Sequence, residues 1–99
     1  MDITNRIVEN FHPEKVILFG SYAYGQPTLE SDVDLLVIMK SDNHPAERSA
    51  KIMSVCRPRH LGLDLIAITP EELEKRLAGF DPFLEDILNK GRVLYESPR

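Results

Sequence analysis

Apolar residues recur along this chain with two different periods, and the switches between them mark out its elements. Ile3, Ile7, Val8 and Phe11 fall at helical spacing and predict a short amphipathic helix over 2–11, ended by Pro13. The continuous apolar runs Lys15–Phe19 and Val33–Met39 read as strands buried on both faces. Between them Gly20 breaks the first run, Ser21 caps a short helix reaching about Gly25, and Gln26–Ser31 is a polar loop. Pro45 suits the first turn of a helix running to about Arg57, where Pro58 follows. Ala46, Ala50, Met53 and Cys56 form its expected inward stripe. Leu63–Ile68 is a third strand, interrupted only by Asp64.

The punctuation after that strand is equally clear. Thr69-Pro70-Glu71-Glu72 combines an N-cap, a proline at the first helical position and acids in the first turn. Gly79 ends that helix, a last one runs from about Asp81 to Lys90, and Arg92–Glu96 is an edge strand before a frayed tail. The pattern predicts a single α/β domain over residues 1–99, a small mixed β-sheet flanked by helices, without internal repeat or linker.

Composition narrows the classes. With 42% hydrophobic and 28% charged residues, the chain is an ordinary globular one with room for a modest core. No apolar run approaches the ~20 residues of a membrane helix, and the first fifteen residues do not read as a signal peptide. Cys56 is alone, which fits a reducing, cytoplasmic setting, and His12, His44 and His60 have no zinc-like spacing. A net charge of −4 argues against an extended nucleic-acid-binding surface. Locally, however, Arg48, Lys51, Arg57 and Arg59 face only Glu47 between residues 43 and 63. Such a basic stretch suits a small polyanion; Arg48 and Lys51, one turn apart on the helix, read first as a solvated outer face and, as the alternative, as phosphate contacts.

The chemistry concentrates at two places. Asp32 and Asp34 stand at the start of the second strand, and a strand sends residues i and i+2 to the same side. A turn accounts for Asp32 but not for Asp34, a carboxylate leading straight into Leu-Leu-Val-Ile-Met. Paired carboxylates suit a hard cation such as Mg²⁺, and the Gly20-Ser21 turn could offer N–H groups to a phosphate. Asp64 completes a triad if its strand neighbours 33–39. Tyr22, Tyr24 and Tyr95 read as packing residues, with Tyr24 near enough to the turn to line a pocket.

Gly20-Ser21, ten residues, then Asp32-Val33-Asp34, flanked by apolar strands, resembles the signature of the nucleotidyltransferase superfamily related to DNA polymerase beta. The short length resembles its minimal nucleotidyltransferases, the MNT antitoxins found beside helical HEPN toxins. The resemblance implies Asp32, Asp34 and Asp64 as catalytic ligands of two Mg²⁺ ions, and Gly20 and Ser21 as holding the phosphates of ATP. It implies transfer of AMP to an acceptor hydroxyl, a tyrosine of a HEPN partner being the leading choice. Tyr24 stands where relatives often carry a basic residue. Larger relatives carry an extra domain for the acceptor, so here the acceptor is expected from another protein. A silent antitoxin that neutralises by binding, and transfer to a small molecule or an RNA end, are the alternatives. The nucleotide preference and any homo-oligomer stay open.

Overall fold

A computed structural model of the chain describes residues 2–20, 23, 25, 32–56 and 62–98. Its elements follow the punctuation closely: α1 (Asp2–Phe11), β1 (Lys15–Phe19), β2 (Val33–Ile38), α2 (Pro45–Cys56), β3 (Leu63–Ile68), α3 (Pro70–Ala78), α4 (Pro82–Lys90) and β4 (Arg92–Glu96). The expected short helix after Ser21 lies largely outside the described residues. The four described strands form one sheet in the order β3-β2-β1-β4. β1 pairs antiparallel with both β2 and β4, whereas β2 and β3 run parallel, which makes the sheet mixed.

Parallel neighbours need a crossover, and α2 supplies it. The sheet therefore has two covered faces. On one, Val16, Leu18, Leu35 and Val37 pack with Ile3 and Ile7 of α1 and with Ile52 and Cys56 of α2. On the other, Ile17, Phe19, Leu36, Ile38 and Ile68 pack with Leu84 and Ile87 of α4 and with Leu73 and Leu77 of α3. β2 is central, and Leu35, Leu36 and Val37 are fully buried, which is why its run is continuously apolar.

The helix ends carry the connections between layers. Arg6 of α1 donates from Nη1 to the Cys56 carbonyl (2.7 Å), satisfying an orphan acceptor at the C-terminus of α2. Thr69 and Glu72 form a capping box at the start of α3, as the sequence pattern predicted. Glu72 has a second task. Both of its carboxylate oxygens accept from Arg48, at 2.7 and 2.8 Å.

Arg48 corrects the sequence reading in two respects. Its side chain is buried, with Nε bonded to the Asn43 carbonyl and Nη1 also to the Ala67 carbonyl. The buried stripe of α2 is accordingly Arg48, Ile52 and Cys56, while Ala46 and Ala50 are exposed. A guanidinium can be buried where its fork is matched by a carboxylate, and α3 brings that carboxylate from 24 residues away. Arg48 is thus committed to tying α2 to α3 and is not a phosphate contact. Lys51 lines a surface hollow with Lys40 and Asp42 near the C-terminal end of β2. That end lies about 13 Å along the strand from Asp34, at ~3.3 Å per residue.

Removing the Glu72 side chain leaves the buried Arg48 charge without its counter-ion. Because Glu72 is itself partly exposed, Glu72→Ala is expected to cost about 3 kcal/mol, the low end for breaking a buried pair. The Arg48 and Thr69 hydrogen bonds hold Glu72 down to about 2, from an ordinary 4.5. Its contribution is therefore complete above pH 4.5 and lost as the pH falls towards 2. Unfolding followed by circular dichroism from pH 7 downwards should show the wild-type and variant curves converging through that window.

Candidate active site

The site is built where three strands end or begin together. β1 runs out at Phe19, which pairs with Asp34 near the start of β2. The parallel register between β2 and β3 sets Asp34 directly beside Asp64. Paired residues in a parallel ladder share a face, so both carboxylates stand on the side covered by α3 and α4, and Asp32, two residues back, points the same way. The sequence condition for a triad, that the third strand neighbour the second, is met.

Two glycines make the room. Gly20 has φ 76, the left-handed region, and Ala23 N–H closes the turn onto its carbonyl at 3.0 Å. A Cβ on Gly20 would overlap the Asp34 carboxylate, and a Cβ on Gly62, just before β3, would overlap that of Asp32. Each carboxylate thus lies against a bare backbone. A pocket of about 430 Å³ opens there, lined by Phe19, Gly20, Asp34, Asp64, Ile66 and Phe83. Phe83 at the start of α4 meets Phe19 edge-on, with ring centroids 5.9 Å apart, and leaves half its surface exposed at the rim.

The electrostatics are those of anions crowded together. Burial first, and then the charges of Asp64 and Asp32, push the Asp34 carboxyl above its ordinary value. Among the described residues no three His, Cys, Asp or Glu side chains already close around one point as a metal cage. The donors are nevertheless all carboxylates, neighbours along and across strands, with no ion-pair partner among the described residues and an open pocket. Hard oxygen donors of this kind fit Mg²⁺, which keeps several waters and binds through one or two carboxylates and substrate phosphates.

Of the residues expected to hold phosphates, Gly20 is at the site; Ser21 lies outside the described residues, as do Tyr22, Tyr24, Arg57 and Arg59. Tyr95 packs half-buried against the core, as expected. Sequence reasoning missed Phe19 and Phe83 as lining residues, and it missed Gly62. The spacing Gly62-Leu63-Asp64 held a signal for the last, since it places a glycine at the mouth of a carboxylate-bearing strand.

A turn glycine beside strand-borne carboxylates, on a small mixed sheet covered by helices, defines a nucleotidyltransferase-like domain. The nucleotidyltransferase domain family matches residues 1–95, and the chain belongs to that family. Relatives in Methanocaldococcus jannaschii bear the name "Putative protein adenylyltransferase". One is 36% identical over 84 residues, which are 83% of this chain and 78% of that protein. Another is 33% identical over 87 residues, 82% of this chain, which spans only 57% of the relative's length. Among solved structures, one described as "a putative nucleotidyltransferase from Sulfolobus solfataricus" superposes with a TM-score of 0.65 at 19% identity, over 98% of this chain and 77% of that one. A chain of a mutant MntA-HpeT toxin-antitoxin structure gives 0.57 at 22% identity, over 97% of this chain and 71% of that one. Both confirm the α/β fold.

The raised Asp34 carboxyl has a stability consequence of definite sign. The folded chain holds that proton more tightly than the unfolded one, so ionisation destabilises the fold as the pH rises above the ordinary 3.8. Asp34→Asn removes the charge at nearly constant shape. Without divalent metal, the variant is expected to melt above wild type at pH 7, the gain fading as the pH falls towards 3.8. Differential scanning calorimetry across that range checks it.

Proposed function

We propose that this chain transfers AMP from ATP to a hydroxyl on a protein partner, with Mg²⁺ held at Asp32, Asp34 and Asp64. The observation that carries this reading is the parallel register that sets Asp34 beside Asp64, with Gly20 closing over Asp34. The family supplies the reaction class, and the relatives' printed names favour a protein as acceptor. When bound, Mg²⁺ supplies neutralisation of phosphate charge and of the charge that develops on the reacting oxygens.

The chain's own groups define the rest. Gly20, at a turn whose glycine leaves the backbone bare, and Ser21 after it hold the β- and γ-phosphates through N–H groups. Asp32 and Asp34, by holding Mg²⁺ between them and the substrate, would set the α-phosphate end against β2. The acceptor oxygen then bonds to the α-phosphorus as the bond to the bridging oxygen breaks, and pyrophosphate leaves. Asp64 would help hold Mg²⁺ or take the hydroxyl proton. Phe83 and Ile66 give the pocket an apolar wall.

A helical HEPN-type toxin with an acceptor tyrosine is the partner this reading favours, in the cytoplasm, with the chain acting as antitoxin. Its support is the resemblance of the Gly-Ser and Asp-x-Asp motif to MNT antitoxins, together with the toxin-antitoxin assembly in which one structural neighbour was solved. No helix among the described residues is long and apolar enough to cross a membrane.

The test is label transfer in a lysate of the source cells. Wild-type protein with Mg²⁺ should label one protein band from α-labelled ATP that γ-labelled ATP does not label. Asp32→Asn and Asp34→Asn should each lower the labelling rate by at least about a thousand-fold, the scale of several kcal/mol of transition-state stabilisation. A wild-type protein that binds Mg²⁺-ATP yet labels nothing would overturn the transfer reading.

A further inference from the structure

We propose that Gly62 is a positioning residue for the metal-binding carboxylate Asp32, present for the sake of that side chain and not of its own backbone; this rests on Asp32 being a ligand. Glycine is required at Gly20 for two reasons, a left-handed φ and the Asp34 carboxylate beside it. At Gly62 only the second reason exists. Its φ lies outside the left-handed region, so an L side chain fits the backbone there. The space such a side chain needs is already taken. A Cβ on Gly62 would overlap the Asp32 carboxylate oxygen and stand 2.7 Å from its Cγ.

The two residues are locked into this relation by the ladder. Val33 N–H donates to the Gly62 carbonyl at 2.8 Å, at the point where β2 and β3 begin to run in parallel. Neither backbone can retreat without breaking the first rung of the pairing that also sets Asp34 beside Asp64. What can move is the far end of Asp32, which is exposed. A methyl group at position 62 would therefore leave the fold intact and swing the carboxylate away from Asp34. Gly20 and Gly62 act as a matched pair, one beneath each carboxylate, from the strands on either side of β2.

The test is a double-mutant cycle on metal binding. Mn²⁺, alone and with a non-hydrolysable ATP analogue, is titrated by electron paramagnetic resonance into wild type, Gly62→Ala, Asp32→Asn and the double variant. Gly62→Ala should bind Mn²⁺ about 10- to 100-fold more weakly, the range typical of losing a group that orients a ligand. Its metal-free melting temperature should be unchanged or slightly raised, since alanine narrows the unfolded ensemble. In the Asp32→Asn background the same change should have less than about a two-fold effect, because the group it displaces no longer binds metal. Wild-type Mn²⁺ affinity in Gly62→Ala, or an equal loss in both backgrounds, would overturn the proposal. If Asp32→Asn itself binds Mn²⁺ like wild type, it is the ligand reading of Asp32 that falls.

Discussion

The parallel pairing of β2 with β3 is the constraint on which the rest of this small domain hangs. A parallel neighbour cannot be reached by a tight turn, so the chain must cross over through α2, and that helix then covers one face of the sheet. The register of the pairing does more than close the sheet. It sets Asp34 level with Asp64 and brings the Gly62 backbone under Asp32. A slip of one residue would send every side chain of β3 to the opposite face and scatter the carboxylates. Register is held by Ala67 and Ile68, which are buried, and by Arg48, which reaches the Ala67 carbonyl. The fold is thus anchored at one end of the β2–β3 pair and carries its candidate site at the other.

This division of labour explains how charge is handled. At the anchored end a buried cation meets a carboxylate with both oxygens engaged, and the capping box uses the same Glu72 to start α3. At the other end Asp34 and Asp64 stand side by side with Asp32 near them, without a described cation beside them. Proteins commonly concentrate strain at a working site and compensate for it elsewhere. Here the compensation can be named: two glycines that admit the carboxylates, and a central strand whose Leu35, Leu36 and Val37 are fully buried.

Most of the fold was legible in the sequence because its boundaries are written in local chemistry. Thr69 with Glu72, Asp81 before Pro82, and the apolar runs of β1 and β2 all act over a few residues, and their ends fell within a residue or two of expectation. The Asp-x-Asp pair was legible for the same reason. What could not be read was long-range. Arg48 looked like a solvated cation because the carboxylate that buries it belongs to another helix. Phe19 read as part of a buried strand and Phe83 carried no reading of its own, since only the packing of α4 on β1 makes them a pocket wall. Gly62 carried a signal only in its place just before Asp64, and its relation to Asp32 emerged only with the register.

β3 lies at the edge of the sheet, and its two ends are held very differently. The Ile68 end is buried, whereas the Asp64 end is exposed and sits against like charge. Opening of an edge strand begins where it is least protected, and its cost need not approach that of global unfolding. Fraying from Leu63 inward would separate Asp64 from Asp34 while leaving Arg48, α3 and the core in place. Amide exchange along β3 should therefore be graded, fast at the carboxylate end and slow at the other. Anything that neutralises the site would flatten the gradient.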